Sequence, residues 1–342
     1  MVLLFAIFFA FVVACIASYG LSHPASPIRF LDYPNERSLH SAPMPRTGGM
    51  GICVAASLSC AVVVAKFGVR VEFLWIAGAT LMLGLVSLAD DRSHIPVWLR
   101  LVVQSVAACL LLIGGLRPQL GGILGFDPTL SDAVVQVLSA LFVVWMINLY
   151  NFMDGMDGFA GGMSVIGFGT LGLFGFWGGD GYFATICWIV SASAAGFLVW
   201  NFPPARIFMG DVGSSVLGLM AAAMSLWGDR LGLFPIWIAI LVFSPFVVDA
   251  TVTLLMRALH RERVWEAHCN HYYQRLVRTG WGHRRTVLVE YGLMAACSVT
   301  AVVLIEASTA VKSLGLGVWV VIYLAGMYAV RRAEVTAARS SL

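Results

Sequence analysis

The chain has 342 residues, of which 60% are hydrophobic and 11% charged, and its mean hydropathy is +0.87. This composition excludes a soluble globular domain. The formal net charge of +3 is small, and no nucleic-acid partner is expected.

In chain order, about eleven apolar stretches are long enough to cross some 30 Å of hydrocarbon. They lie near 2–21, 48–66, 72–89, 96–115, 132–150, 159–177, 182–200, 213–228, 232–255, 286–305 and 314–330. The stretch 213–228 is short and contains glycine. The first stretch lacks a basic flank and is longer than a signal-peptide core, so it reads as a retained span with its N-terminus outside. With that start, Arg29, Arg37, Arg46, Arg92, Arg100, Arg206, the arginines of 257–285 and Arg331, Arg332 and Arg339 all fall inside. The positive-inside rule then orients the chain, with the C-terminus inside. The seven cysteines are odd in number and mostly lie within spans, which argues against a disulfide framework and gives no metal-ligand spacing. The expected fold is all-α, a polytopic integral membrane helical bundle. Residues 1–342 are expected to form one domain.

The polar clusters gather on the inner loops, near 22–47, 90–95, 151–161, 201–213 and 257–285. The first holds Arg37-Ser38-Leu39-His40 and Pro45-Arg46-Thr47-Gly48-Gly49; the second opens with Asp90-Asp91. The third follows Asn148 and contains Asn151, Asp154, Gly155, Met156, Asp157 and Gly158. Carboxylates are costly near hydrocarbon and usually functional there. The i,i+3 spacing of Asp154 and Asp157 puts them on one face if the segment is helical; helix capping is the competing explanation. The fourth cluster holds Asn201, Arg206, Phe208 and Asp211, and Asp211 also reads as an ordinary N-cap. The fifth carries His260, His268, His271 and His283 among arginines. His268 and His271, beside Gln274 and Arg275, make a converging donor surface. Each cluster alone has a structural explanation. Their coincidence on one membrane face favours a site.

Carboxylate and amide oxygens select Mg²⁺ or Mn²⁺ over zinc, and arginine and histidine suit phosphate oxygens. That combination is the equipment of phosphoryl transfer. A site at the membrane face points to one lipid-phosphate substrate and one soluble nucleotide.

In order, Asp90-Asp91, the Asn148–Gly158 run, Phe208-Met-Gly-Asp-Val-Gly-Ser214 and the histidine loop near 268–275 resemble the polyprenyl-phosphate N-acetylhexosamine-1-phosphate transferases, the WecA/MraY-like glycosyltransferase family 4. The likeness runs from about residue 29 to 330. The Arg37…Gly49 stretch and His-x-x-His-x-Tyr-Gln at 268–274 look most like the O-antigen-initiating WbpL-like branch. The resemblance implies a Mg²⁺-dependent (or Mn²⁺-dependent) enzyme of the bacterial inner membrane, with a cytoplasmic active-site cleft. It would move sugar-1-phosphate from a UDP-N-acetylhexosamine or its 6-deoxy relative to undecaprenyl phosphate, releasing UMP. It also implies residue roles. Asp211 and Asn151 would hold the metal on the donor diphosphate. Asp90 and Asp91 would serve the acceptor, with Asp90 deprotonating or orienting the lipid phosphate. Asp154 and Asp157 belong to the central acidic motif, and Asp157, Gly155 and Met156 lie where uridine is expected. Asn148 completes that motif. Asn201 and Phe208 match base-recognition positions. Arg100 would face the pyrophosphate, and Arg46, His268, His271 and Arg275 would contact phosphate or sugar. A homodimer is left open.

Two other readings compete. A transporter of a phosphorylated or lipid-linked solute shares the hydropathy and the acids, but it predicts internal repeats, and the Asn/Asp-Gly motif has no counterpart. A CMP-alcohol phosphotransferase needs an arginine and two further spaced aspartates after Asp157-Gly158, which this sequence lacks.

Overall fold

In the computed structural model, the residues described are 1–28, 30–34, 38–39, 42–93, 95–118, 131–263 and 268–340. Arg29, Arg37 and His40, which the sequence places in the first inner loop, lie outside them.

The fold is helical throughout, apart from a two-residue antiparallel pairing of β1 (Leu31–Asp32) with β2 (Met44–Pro45). In chain order the helices are α1 (Val2–Ser22), α2 (Gly48–Phe67), α3 (Val71–Ser93), α4 (Val97–Ile113), α5 (Asp132–Met153), α6 (Phe159–Trp177) and α7 (Gly181–Asn201). There follow α8 (Gly210–Arg230), α9 (Ile236–Val242), α10 (Ser244–Leu259), α11 (Tyr272–Leu276), α12 (Gly282–Leu304) and α13 (Thr309–Ser340). A π-helical turn, Val277–Trp281, joins α11 to α12.

Every expected apolar stretch coincides with a helix or, for 232–255, with the pair α9 and α10, which bend by 81°. Among the described residues, eight helices are long and apolar enough to cross a membrane, or nine if the bent pair is one span. Two expected spans fall short of that measure. Helix α4 has 17 residues. Helix α8 is buried from Val212 to Asp229 and rich in Gly, Ala and Ser. A helix wrapped by protein needs small residues for close approach, not lipid-facing bulk.

Punctuation is chemical. Pro96 and Pro235 stand just before α4 and α9, where the missing N–H costs nothing. The Asp180 carboxylate caps α7 by accepting the Phe183 N–H at 2.9 Å. The core sits around α6, α7 and α8, with Tyr150, Phe159, Phe243, Phe246 and Trp227 fully buried. By contrast α13 turns Leu314, Val318, Val321 and Leu324 outward. The C-terminal ends of α3, α5 and α7 and the N-terminal ends of α6 and α8 meet at one end of the bundle, and they carry the polar clusters there.

Candidate active site

Two backbone seams fix the loops. The Phe208 N–H donates to the Pro45 carbonyl at 2.7 Å, while the N–H groups of Gly48 and Gly49 donate to the carbonyls of Phe208 and Met209 at 2.9 and 2.8 Å. Gly210, which opens α8, has φ +76°, and a Cβ there would overlap the Arg46 carbonyl oxygen. Only glycine permits both the left-handed turn and that approach. The second seam runs through Asn201: its Oδ1 accepts the Gly158 N–H and its Nδ2 donates to the Ile207 carbonyl, both at 2.8 Å. Asn201 thus ties the third loop to the fourth, and both ends of its amide are committed to backbone.

Between these seams lies a cavity of about 330 Å³. Arg46, Asp91, Asn151, Asp154, Gly155, Met156, Asp157, Asn201, Phe208, Asp211 and His268 line it, together with Asp32, Ser38, Ser214, Gln274 and His283. Residues from five separate loops therefore share one space. Asp91 is buried; it accepts the N–H groups of Asp211 and Val212 at 3.3 Å each, and Arg46 Nε stands 3.7 Å away. Arg46 also donates through Nη2 to the Asp91 carbonyl at 2.6 Å. Asn151 Nδ2 donates to Asp211 Oδ1 at 2.7 Å and to Ser214 Oγ at 3.1 Å. Asp211 is the second residue of α8 and Met209 is its N-cap, so the capping explanation does not describe it. Asp157 accepts the Ala205 N–H at 3.0 Å, and His283 Nδ1 lies 3.0 Å from its other oxygen.

Asp154 follows the last residue of α5, and 154–158 is a turn. Asp154 and Asp157 therefore do not share a helix face, because the chain must leave α5 and re-enter at α6 through Gly158, at φ +75°. The Asp154 carboxylate makes no hydrogen bond or ion pair among the described residues, while its N–H donates to the Asn151 carbonyl at 3.4 Å. Burial, with the negative charges of Asp211 and Asp91, pushes its carboxyl well above the usual range. Gly155 is close-packed: a Cβ would overlap the Tyr273 hydroxyl, which donates to the Phe152 carbonyl at 3.1 Å. Burial, and then the neighbouring His271 and Arg257, lower the His268 imidazole to about 4.

Other expected site residues lie outside this cavity. Asp90 is buried behind it, accepting the Ile95 N–H at 2.6 Å and pairing with Arg100 at 3.0 Å. Arg100 is thus engaged by Asp90. Asn148 exchanges hydrogen bonds with Gln104 between α5 and α4, at 2.7 and 3.4 Å. Arg275 forms a two-pronged pair with Glu334 of α13, at 2.7 and 2.6 Å. His271 is buried under the wall, its ring 4.8 Å from that of His268 and its Nδ1 3.2 Å from Asp249 Oδ1.

Asp249 escaped the sequence reading. Its Oδ1 also accepts the Tyr272 N–H at 3.0 Å and the Thr253 hydroxyl at 3.1 Å, and its Oδ2 accepts the Tyr273 N–H at 3.1 Å. One buried carboxylate on α10 therefore sets the start of α11 and the histidine loop. A lone acid inside the apolar stretch 232–255 was the available signal. His283 had no such signal beyond its basic surroundings.

Among the described residues, no three His, Cys, Asp or Glu side chains converge tightly enough to hold a metal by themselves. Asp211 and Asn151 supply one carboxylate and one amide. That suits Mg²⁺, which keeps waters and takes substrate phosphates beside one or two carboxylates. The charge balance points the same way. The described lining carries Asp32, Asp91, Asp154, Asp157 and Asp211 against Arg46 and two histidines, one of them lowered to about 4. Such an excess of acidic over basic groups would be relieved by a cation.

The family model for glycosyl transferase family 4 matches residues 73–229. The chain is 28% identical over 291 residues to a protein of Bacillus subtilis named probable undecaprenyl-phosphate N-acetylglucosaminyl 1-phosphate transferase, covering 83% of this chain and 80% of that one. It is 30% identical over 304 residues to the decaprenyl-phosphate N-acetylglucosaminephosphotransferase of Mycolicibacterium smegmatis, covering 77% and 73%. A phospho-N-acetylmuramoyl-pentapeptide-transferase of Listeria monocytogenes is 29% identical over 183 residues, covering 49% and 54%.

Proposed function

The chain belongs to glycosyl transferase family 4, the WecA/MraY-like sugar-phosphate transferases of membranes, and from that premise we propose that it moves N-acetylhexosamine-1-phosphate from a UDP-sugar to undecaprenyl phosphate, with UMP released. The observation that carries this reading is the carboxylate-rich cavity at one end of a membrane bundle, with Asp91, Asp154 and Asp211 near one another and Arg46 the one arginine or lysine among the described lining residues. A diphosphate would be repelled from such a cavity unless a divalent ion came with it. Asp211 and Asn151 would hold that ion. When bound, Mg²⁺ or Mn²⁺ would neutralise charge on the diphosphate as the bridging bond breaks.

The remaining work falls to the chain. An oxygen of the acceptor phosphate forms a bond to the sugar-bearing phosphorus. The bond from that phosphorus to the bridging oxygen breaks, and UMP leaves with the electron pair. Arg46 stands beside Asp91 to receive phosphate oxygens. Phe208 offers a face on which uracil stacks, with Met156 and Asp157 beside it. Asp90, held by Arg100 behind the cavity, serves the acceptor side by fixing Asp91 and the end of α3. The N-acetylglucosamine relatives align along about four-fifths of the chain and the muramyl-pentapeptide relative along half, which favours a simple N-acetylhexosamine or its 6-deoxy form. We place the reaction at the cytoplasmic face of a bacterial inner membrane, as the first lipid-linked step of an envelope polysaccharide such as an O-antigen. The test is direct. Purified chain with UDP-N-acetylglucosamine, undecaprenyl phosphate and Mg²⁺ releases UMP and forms a lipid-linked sugar diphosphate. A screen of UDP-sugars that yields no UMP with any donor rejects the enzyme in favour of the transporter reading.

A further inference from the structure

A second cavity, of about 500 Å³, adjoins the first, and Cys269 stands in the wall of both. It lies between the end of α10, the turn after α11 and the last turns of α13. Four arginines face it, Arg257, Arg275, Arg278 and Arg331, against two acids, Glu262 and Glu334. Both acids are engaged. Glu262 accepts from Arg257 at 2.7 Å, and Glu334 grips Arg275 with both oxygens. Arg278 and Arg331 have no carboxylate within ion-pair distance among the described residues, although Glu334 attracts Arg331 from further off. The described lining therefore carries two positive charges beyond its internal pairs.

Its depth is set by α13. Leu314, Val318, Val321, Leu324 and Tyr328 are exposed on that helix, which is how a lipid-facing surface looks in a membrane chain. Arg331, Glu334 and Ala337 follow at i, i+3 and i+6 and turn to the cavity. Arg331 is thus one helical turn beyond Tyr328. An exposed tyrosine at the end of an apolar helix belongs at headgroup level, and so, one turn on, does Arg331.

We propose that this arginine-lined cavity is a second ligand site, separate from the carboxylate cavity, that takes a phosphate group between Arg278 and Arg331. The phosphate comes either from an anionic phospholipid headgroup entering along α13 or from a soluble phosphate compound. Guanidinium groups without carboxylate partners suit phosphate oxygens with two-pronged hydrogen bonds, and the internal pairs Arg257–Glu262 and Arg275–Glu334 hold the walls while it binds.

The experiment uses the full-length protein in detergent. Phosphatidylglycerol, phosphatidylcholine and inorganic phosphate are titrated separately, with bound lipid read by native mass spectrometry and phosphate by calorimetry. Phosphatidylglycerol bound in preference to phosphatidylcholine assigns the site to a lipid; inorganic phosphate binding assigns it to a soluble compound. In either case R278Q/R331Q weakens binding by about tenfold or more, while R332Q, which alters the neighbouring arginine outside the cavity, does not. Thr279→Glu adds a carboxylate to the wall without removing an arginine, and weakens binding likewise should the double variant fail to fold. Binding of neither probe, or equal binding by wild type, R278Q/R331Q and Thr279→Glu, overturns the proposal.

Discussion

Asp211 and Asp229 stand at opposite ends of α8, about 27 Å apart at 1.5 Å per residue, and their surroundings differ in kind. Around Asp229, the acids Asp229, Asp180 and Glu72 are each matched. Asp229 accepts the Ile236 N–H at 2.6 Å, Asp180 pairs with Arg70 at 2.6 Å and caps α7, and Arg230 lies 3.6 Å from Glu72. Around Asp211 the acids outnumber their partners. Asp91 accepts two backbone N–H groups and stands near Arg46, Asp211 accepts from Asn151, and the Asp154 carboxylate has no such partner among the described residues. Matched acids explain themselves as helix ends. Crowded acids at low dielectric raise one another's pKa, and such a cluster marks a candidate site for a charged ligand that would relieve them.

The largest effect follows from exchanging the two ends. Asp211→Asn leaves Asn151 a carbonyl to donate to, so the protein stays folded in detergent, but UMP release falls by about a hundredfold or more. Asp229→Asn keeps an acceptor for the Ile236 N–H and changes turnover by no more than about threefold, its cost appearing as a lower melting temperature. The reverse result, an active D211N beside an inactive D229N, breaks the contrast. Measuring turnover and melting on the same preparations separates loss of chemistry from loss of fold.

Metal removal comes next. If relief of the crowded acids is the role of a divalent ion, EDTA abolishes UMP release, and either Mg²⁺ or Mn²⁺ restores it. Loss of the ion should also lower the melting temperature in Asp211-intact protein by mass action, while D211N, which binds the ion poorly, should show little further drop. Full turnover in excess EDTA would mean that the crowded acids act without a divalent ion, and the contrast between the two ends of α8 would lose its chemical meaning.

The sequence made one end of this contrast readable and left the other dark. Asp91, Asn151, Asp157 and Asp211 stood out because polar residues are rare at the ends of apolar runs, and the cavity gathers them. Asp90, Asn148, His271 and Arg275 stood out equally, yet lie behind or beside it. Residue type and spacing do not say whether a side chain faces a cavity or the neighbouring helix; Gln104 and Glu334, the partners that draw Asn148 and Arg275 away, are far along the chain. The helical architecture was readable from hydropathy alone. The shape of α8 was not, because a helix enclosed by protein loses the apolar signature that lipid imposes.

Asp249 probes a smaller effect, the placing of the histidine loop. Asp249→Asn keeps one acceptor and forfeits the other, so one of the Tyr272 and Tyr273 N–H groups loses its partner. That costs about 1–3 kcal/mol locally. Turnover should drop by about tenfold through misplacement of His268, with donor KM moving more than kcat. Asp249→Ala should be worse on both counts. A variant with wild-type kinetics would show that the loop is held by its packing against Phe152 and Tyr273 rather than by the carboxylate.

The smallest expected effect is a proton on His268. Its imidazole is lowered to about 4, mainly by burial, so between pH 5 and 8 it is neutral in the empty protein. In the unfolded chain it titrates near 6.5. The unfolded state therefore binds more protons between those two values, and stability from this group falls as pH drops from about 6.5 towards 4. His268→Asn should flatten the fall in melting temperature over that window. A bound diphosphate reverses the local field: its negative charge favours imidazolium, so binding draws a proton onto the ring. Donor KM in the wild type should then rise as pH increases above about 4, until the ring is neutral in the bound state too, and this slope should vanish in His268→Asn while the slope due to the other groups remains. If wild type and variant show the same pH dependence of both KM and melting, His268 shapes the wall of the cavity and exchanges no proton with its contents.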